Sequence, residues 1–148
     1  MVDSGVPVLI DEAGEALRFD EISIRAGLRG ILNVMRLIGM LPAKRKATRQ
    51  IKPVRARTTS WVRAPASGIF NTSVALGNSV SEGQRMGSIN DPRGDTSENL
   101  IAPFDGIVIG RSNLPLAHEG DALFNIAAFR SVSKAEDLVE EFTSELDH

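Results

Sequence analysis

The chain has 148 residues, of which 42% are hydrophobic and 24% charged, and its formal net charge is −2. This composition predicts a soluble globular protein and argues against wholesale disorder. The absence of cysteine excludes a disulfide framework, a thiolate metal site and a cysteine nucleophile. Because neither an apolar run of membrane-spanning length nor a secretory signal is present, we expect a cytoplasmic location and no membrane partner.

Residues 1–42 have the pattern of the closing part of an α/β unit. Residues 6–10, Val-Pro-Val-Leu-Ile, are typical of a short buried strand. Asp20 can then cap a helix that ends near Gly39, and Pro42 prevents the helix from continuing. The apolar positions with helical spacing are Ile24, Leu28, Ile31, Leu32, Met35 and Ile38. So short a segment cannot cover both faces of a sheet, and we therefore expect it to be a piece of a larger domain.

Residues 43–60 form a basic segment that predicts a solvated connector or an edge strand. Its basic residues are Lys44, Arg45, Lys46, Arg49, Lys52, Arg55 and Arg57. A nucleic-acid-binding arm is the alternative, but no aromatic residue is interleaved for base stacking, and the acidic C-terminal segment is available as an intramolecular partner. We therefore expect no nucleic-acid partner.

Residues 61–128 contain an internal repeat that predicts a small β domain. The segment 64–69, Ala-Pro-Ala-Ser-Gly-Ile, returns at an offset of 38, and the Glu-Gly segment that begins at residue 82 returns at an offset of 37. Each half reads as a turn, a strand, a loop, a Glu-Gly turn and a final strand. Gly83 and Gly120 fall at hairpin tips, where a positive φ is favourable. Two such halves predict a fold with pseudo-two-fold symmetry.

Residues 129–148 predict an acidic amphipathic helix. Ser133 and Glu136 have the spacing of a capping box at its start. The residues on its apolar face are Ala135, Leu138, Val139, Phe142 and Leu146. We expect this helix to pack on its own domain or on a neighbouring subunit, because helices that lie on membranes favour basic polar faces.

The repeated block resembles biotinyl and lipoyl domains in its two Ala-Pro-x-x-Gly segments and in Gly-Asn-Ser-Val-Ser-Glu-Gly-Gln at 77–84. The resemblance implies a mainly β fold, a barrel-sandwich hybrid domain. In those carriers the modified lysine sits on the hairpin between the halves, which corresponds to residues 90–95. The chain has no lysine between Lys52 and Lys134, and the permanently protonated guanidinium of arginine cannot accept an acyl group. We therefore expect neither biotin nor lipoate.

A second resemblance extends over most of the chain up to Ala127. Residues 6–21, the helical segment 30–42 with its Gly-Met-Leu-Pro end, Trp-Val-Arg-Ala-Pro at 61–65 and Gly-Arg-Ser-Asn-Leu-Pro at 110–115 are similar to the C-terminal part of the succinylglutamate desuccinylase/aspartoacylase family. That family resembles zinc carboxypeptidases in its α/β catalytic domain, and it hydrolyses N-acyl amino acids and related amides with a zinc-activated water.

The resemblance implies four parts in this chain. Residues 1–42 would be a strand-helix remnant of the α/β zinc-peptidase-like catalytic domain, and residues 43–60 a basic connector. Residues 61–128 would be the barrel-sandwich β domain, and residues 129–148 the C-terminal helix.

Glu12 is the one catalytic position that the resemblance transfers. Its implied role is general base towards the zinc-bound water and then acid towards the leaving amine; the alternative is a solvated carboxylate at a strand end. The family's zinc ligands, a His-x-x-Glu pair and a later histidine, have no counterpart here. His118 fits a loop histidine of the β domain and His148 is the last residue, so we expect no metal ligand and no cofactor-binding residue in this chain. No Gly-x-Ser-x-Gly elbow supports a serine hydrolase.

The sequence therefore predicts the C-terminal fragment of a zinc-dependent N-acyl amino acid deacylase that is inactive alone. The complete enzyme would act on a small N-acyl amino acid. The alternative is a non-catalytic interaction or assembly module with a lipoyl-like fold. The apolar face expected of residues 1–42 predicts a homo-oligomer or association with the missing catalytic part.

Overall fold

The structure is a computed structural model that describes residues 5–43 and 54–147. These residues fall into two compact units, one drawn from Met1–Gln50 and Phe142–His148, the other from Ile51–Glu141. The elements in chain order are helix α1 (Glu21–Leu37), strands β1 (Thr58–Arg63), β2 (Gly68–Thr72), β3 (Ser79–Val80), β4 (Arg85–Asn90), β5 (Ser97–Ile101), β6 (Gly106–Arg111), β7 (Leu116–Ala117) and β8 (Ala122–Ala128), and helix α2 (Val132–Asp147). Neither described helix has the length and apolar character of a membrane span.

Helix α1 confirms the predicted caps at both ends. Asp20 Oδ1 accepts hydrogen bonds from two backbone N–H groups of the first turn, at 3.1 and 3.2 Å. Gly39 follows the helix with φ of +80°, a conformation that glycine adopts without steric cost. This bend lets Gly39 N–H donate to Arg36 O at 3.2 Å and Met40 N–H donate to Met35 O at 2.8 Å, which satisfies carbonyls that the helix end leaves free.

The strand predicted at residues 6–10 does not form. Residues 5–20 contain neither helix nor strand, and the side chains of Leu9 and Ile10 are 84% and 86% exposed. A strand must exchange backbone hydrogen bonds with a neighbour, and the described residues of this unit supply none. Of the expected strand-helix remnant, the structure contains the helix alone.

The β unit has two antiparallel four-stranded sheets whose strand orders are β1-β8-β6-β3 and β5-β4-β2-β7. The sequence repeat pairs β1 with β5, β2 with β6, β3 with β7 and β4 with β8. Exchanging these partners converts one strand order into the other. The predicted pseudo-two-fold symmetry and the mainly β class are therefore confirmed, while closure into a barrel-sandwich hybrid stays a prediction.

The core of the β unit lies between the two sheets. Phe70 of β2 and Phe124 of β8 come from different sheets, and their rings meet edge to face with centroids 5.5 Å apart. Such an edge-to-face contact adds to the stabilisation from apolar burial. The buried side chains around this pair are Ala64, Val74, Val80, Met86, Ile89, Leu100, Ala102, Val108, Ala117, Leu123 and Ile126.

The cap of helix α2 lies two residues before the predicted one. Lys134 N–H donates to Ser131 Oγ at 3.4 Å, so Ser131 caps the helix and the expected capping box of Ser133 with Glu136 is wrong. The carboxylate of Glu136 instead accepts a hydrogen bond from Ser79 Oγ of β3 at 2.8 Å. The start of the helix thus packs on its own β unit, which is one of the two arrangements that the sequence predicted.

Candidate functional site

The hairpin between the two halves holds an arginine where a carrier domain would present its lysine. Asn90 and Ser97 pair at its base, and Ser97 Oγ donates to Asn90 Oδ1 at 2.7 Å. At the tip, Arg93 Nε lies 3.5 Å from Asp91 Oδ1 and 3.7 Å from Asp95 Oδ2, and the arginine side chain is 82% exposed. The hairpin between the two halves therefore forms where the sequence predicted it, and it has no lysine side chain to acylate.

Glu12 lies in the irregular segment before α1, and its side chain is exposed. The segment contacts the helix at two places. A Cβ built on Gly27 would be 2.9 Å from Asp11 Oδ2, and one built on Gly14, which has φ of +88°, would be 3.7 Å from Ser23 Cβ. These contacts fix the backbone on either side of Glu12 close to α1, and the catalytic role of Glu12 stays a prediction.

His118 is a turn residue, as expected. Its backbone N–H donates to Asp121 Oδ2 at 2.8 Å, and Asp121 N–H donates back to His118 O at 3.0 Å. The equivalent turn of the first half is built by Ser81 and Gln84 with the same two hydrogen bonds, both at 2.9 Å. Because Ser81 makes the same backbone hydrogen bonds in the first half, the turn at His118 does not depend on an imidazole side chain. His148 lies outside the described residues.

No group of three histidine, aspartate or glutamate side chains that could hold a metal ion occurs among residues 5–43 and 54–147. A hydrolytic zinc site ordinarily has three protein ligands. The described residues therefore do not fit a catalytic zinc ion.

The Gly-Arg-Ser-Asn-Leu-Pro motif covers the end of β6 and the loop that follows it, and the side chain of its arginine donates three hydrogen bonds. Arg111 Nε and Nη2 donate to Asn113 Oδ1 at 3.2 and 2.8 Å, and Arg111 Nη1 donates to Val74 O at 3.1 Å. A small cavity of about 190 Å³ adjoins it, lined by Phe70, Asn71, Thr72, Arg111, Ser112, Asn113, Leu114 and Pro115. Because the guanidinium is already engaged with the protein, its main effect is to shape this loop.

A second, larger concavity lies where the connector meets the start of α2, and we call it the basic basin. Its volume is about 700 Å³ and it is lined by Val54, Arg55, Ala56, Arg57, Arg130, Ser131 and Lys134. Sequence reasoning missed it, because it considered only the acidic residues of the C-terminal segment as partners of the connector and did not anticipate that Arg130 and Lys134 would lie beside Arg55 and Arg57. Of the predicted connector residues, Lys44, Arg45, Lys46, Arg49 and Lys52 lie outside the described residues.

The chain was compared with family models, curated proteins and solved structures. No family model matches the chain, and no curated protein matches it. Solved structures do match, and several of them are succinylglutamate desuccinylase/aspartoacylase proteins.

Three of these structures illustrate the similarity. The succinylglutamate desuccinylase/aspartoacylase from Rhodobacter sphaeroides has 26% identity and a TM-score of 0.63, over 77% of this chain and 37% of that one. A succinylglutamate desuccinylase from Silicibacter sp. TM1040 has 19% identity and a TM-score of 0.62, over 76% and 35%. The product-bound ectoine utilization protein EutE (DoeB) from Ruegeria pomeroyi has 21% identity and a TM-score of 0.59, over 72% and 33%.

The match covers most of this chain but only a part of each solved structure. The matched region spans about a third of the length of each relative, from 33% to 37%. In this chain, 77% of 148 residues is about 114 positions, whereas Ile51–Glu141 comprises 91. The similarity to the Rhodobacter sphaeroides protein therefore extends beyond the β unit.

Proposed function

We propose that this chain is the C-terminal portion of a cytoplasmic, zinc-dependent N-acyl amino acid deacylase of the succinylglutamate desuccinylase/aspartoacylase type, and that it is inactive alone. The observation that carries the proposal is the structural match to the Rhodobacter sphaeroides protein, which exceeds the β unit and spans only 37% of that protein. If only the β domain were shared with an otherwise unrelated protein, we would expect the match to end at the boundaries of the β unit.

In this proposal the zinc ligands belong to the catalytic part outside the described residues. Glu12 is the contribution of this chain to the chemistry, as a carboxylate that accepts a proton and returns it to the leaving amine. The β unit is an accessory domain of the barrel-sandwich type. The substrate class, a small N-acyl amino acid, belongs to the complete enzyme.

Exposed apolar side chains around Glu12 favour association with a further part. Leu9, Ile10 and Phe19 are 84%, 86% and 93% exposed, and a soluble protein seldom leaves several large apolar side chains of one short segment in water. The same observation favours the second candidate function, a non-catalytic interaction module, and the two are separated by whether the assembled protein turns over substrate.

A chimera tests the proposal directly. The region of the Rhodobacter sphaeroides protein that matches this chain is replaced by the 148-residue chain, and hydrolysis of a panel of N-acyl amino acids is measured with zinc present. We expect turnover from the chimera and none from the chain alone. In the chimera, Glu12→Gln should lower kcat by about 10²- to 10⁴-fold, the usual contribution of a general acid-base group. Glu15→Gln is the matched control and should leave kcat unchanged.

The contrary outcomes are distinct. Turnover by the isolated chain that disappears in Glu12→Gln would overturn the account of a metal site held elsewhere. A chimera whose kcat is indifferent to Glu12→Gln would remove this residue from the mechanism. A folded chimera without turnover would favour the interaction module.

A further inference from the structure

The basic side chains that line the basic basin come from two distant parts of the sequence. Arg55 and Arg57 precede β1, whereas Arg130 and Lys134 follow β8. Arg57 N–H donates to Ala128 O at 2.8 Å, and this hydrogen bond continues the pairing of β1 with β8. It brings Arg55 and Arg57 beside Arg130, which follows β8 after two residues. Because backbone hydrogen bonds set this approach, the cations converge as a consequence of the fold.

The basin has a large uncompensated positive charge. Arg55, Arg57, Arg130 and Lys134 are exposed, and none of the four forms an ion pair within the described part of the chain. The sequence contains no acidic residue between positions 43 and 81. Like charges held in one concavity raise the local potential and attract anions.

The nearest acidic residue along α2 does not neutralise this charge. Glu136 Oε1 accepts a hydrogen bond from Ser79 Oγ at 2.8 Å, so its carboxylate is directed to β3. Lys134 is the member of the α2 first turn that lines the basin. The carboxylate of Glu136 therefore does not compensate the positive charge of the basin.

We propose that the basic basin binds an oligophosphate group, a function separate from the proposed deacylase chemistry. Three of its four cations are arginines, whose planar guanidinium pairs with phosphate oxygens through two parallel hydrogen bonds. A chain of phosphates has enough negative charge to match four cations, whereas an N-acyl amino acid has one or two carboxylates. The volume of about 700 Å³ lies within the range of small-molecule sites.

A nucleic acid fits the basin less well than a small oligophosphate does. Binding of a single-stranded nucleic acid commonly adds base stacking on aromatic side chains. None of the described residues that line the basin is aromatic. Their arrangement around one concavity also differs from the extended groove that tracks a polynucleotide backbone.

The test uses the full 148-residue chain and sodium tripolyphosphate as the probe. Isothermal titration calorimetry at low salt should give saturable binding of one ligand per chain, and the probe should raise the melting temperature because it binds the folded state. The double variant Arg57→Gln/Arg130→Gln should weaken binding by about a hundredfold, about tenfold for each lost charge-assisted contact. Arg85→Gln, which removes an exposed arginine of β4 outside the basin, should retain the affinity.

Vesicles containing a phosphatidylinositol bisphosphate identify the source of the ligand. Cosedimentation that is lost in the double variant would assign a lipid headgroup, and its absence beside tripolyphosphate binding would assign a free oligophosphate. The proposal is overturned if tripolyphosphate fails to bind at low salt, or if Arg85→Gln weakens binding as much as the double variant does. It is equally overturned if an RNA duplex binds with the expected variant dependence and tripolyphosphate does not. Since the readout is binding, none of these results bears on the deacylase proposal.

Discussion

Gly68 and Gly106 occupy equivalent positions in the two halves of the β unit, and each lies against a backbone carbonyl of its neighbouring strand. A Cβ on Gly68 would be 2.5 Å from Asn90 O, and one on Gly106 would be 2.5 Å from Ala127 O. No real Cβ contact is so short, so the repeated glycines are explained by the close approach of two strands. Their φ values lie outside the left-handed region.

Replacement of Gly106 by alanine should therefore destabilise the β unit. We expect the free energy of unfolding to fall by about 1–3 kcal/mol, the usual effect of overpacking, because the obstructing atom is backbone and cannot rotate away. Urea denaturation measures the change. The control is Gly30→Ala on α1, where a Cβ meets no atom within 4 Å and alanine should be neutral or stabilising. Equal losses at both sites would contradict the steric explanation.

Truncation of Phe124 should have a larger effect. Its side chain is 0% exposed and its ring contacts Phe70 across the two sheets. We expect Phe124→Ala to lower the free energy of unfolding by about 3–5 kcal/mol, through lost burial and the remaining cavity. Leu114→Ala, at a side chain that is 70% exposed, should change stability little. A small effect of Phe124→Ala would mean that the two sheets do not share one core.

The start of α2 can be tested with two neighbouring serines. Ser131→Ala should cost about 1 kcal/mol, because it removes the side-chain acceptor for a first-turn N–H group. Ser133→Ala should stay within about 0.5 kcal/mol, because the Ser133 side chain is exposed and does not supply the cap. Thermal unfolding followed by circular dichroism compares them. The reverse order would restore the capping box that the sequence predicted.

The hairpin that contains Arg93 should remain unmodified. Coexpression of the chain with a biotin ligase or a lipoate ligase should leave its intact mass equal to that of the sequence, because the hairpin has no lysine to acylate. A genuine lipoyl domain expressed alongside serves as the positive control. A mass increase equal to one cofactor would reinstate the carrier reading.

The sequence predicted correctly those features that depend on residues only a few positions apart, such as helix ends and turns. Asp20 and Gly39 marked the ends of α1, and the repeated glycines and Glu-Gly turns marked the two halves. The strand at residues 6–10 was predicted wrongly, because a strand depends on a partner that a local pattern does not reveal.

The basic basin could not be predicted from the sequence, because it too depends on strand pairing. Arg57 and Arg130 are brought together by the pairing of β1 with β8, and only the register of that pairing reveals it.

The exchange of strands between the two sheets has a consequence for how such a domain can be divided. Each sheet takes two strands from either half, since β1 pairs with β8, β3 with β6, β4 with β5 and β2 with β7. A single half would therefore leave most of its strand edges without partners. Two identical copies of one half could satisfy every one of these pairings, so an intertwined dimer of half-length chains could form the same two sheets.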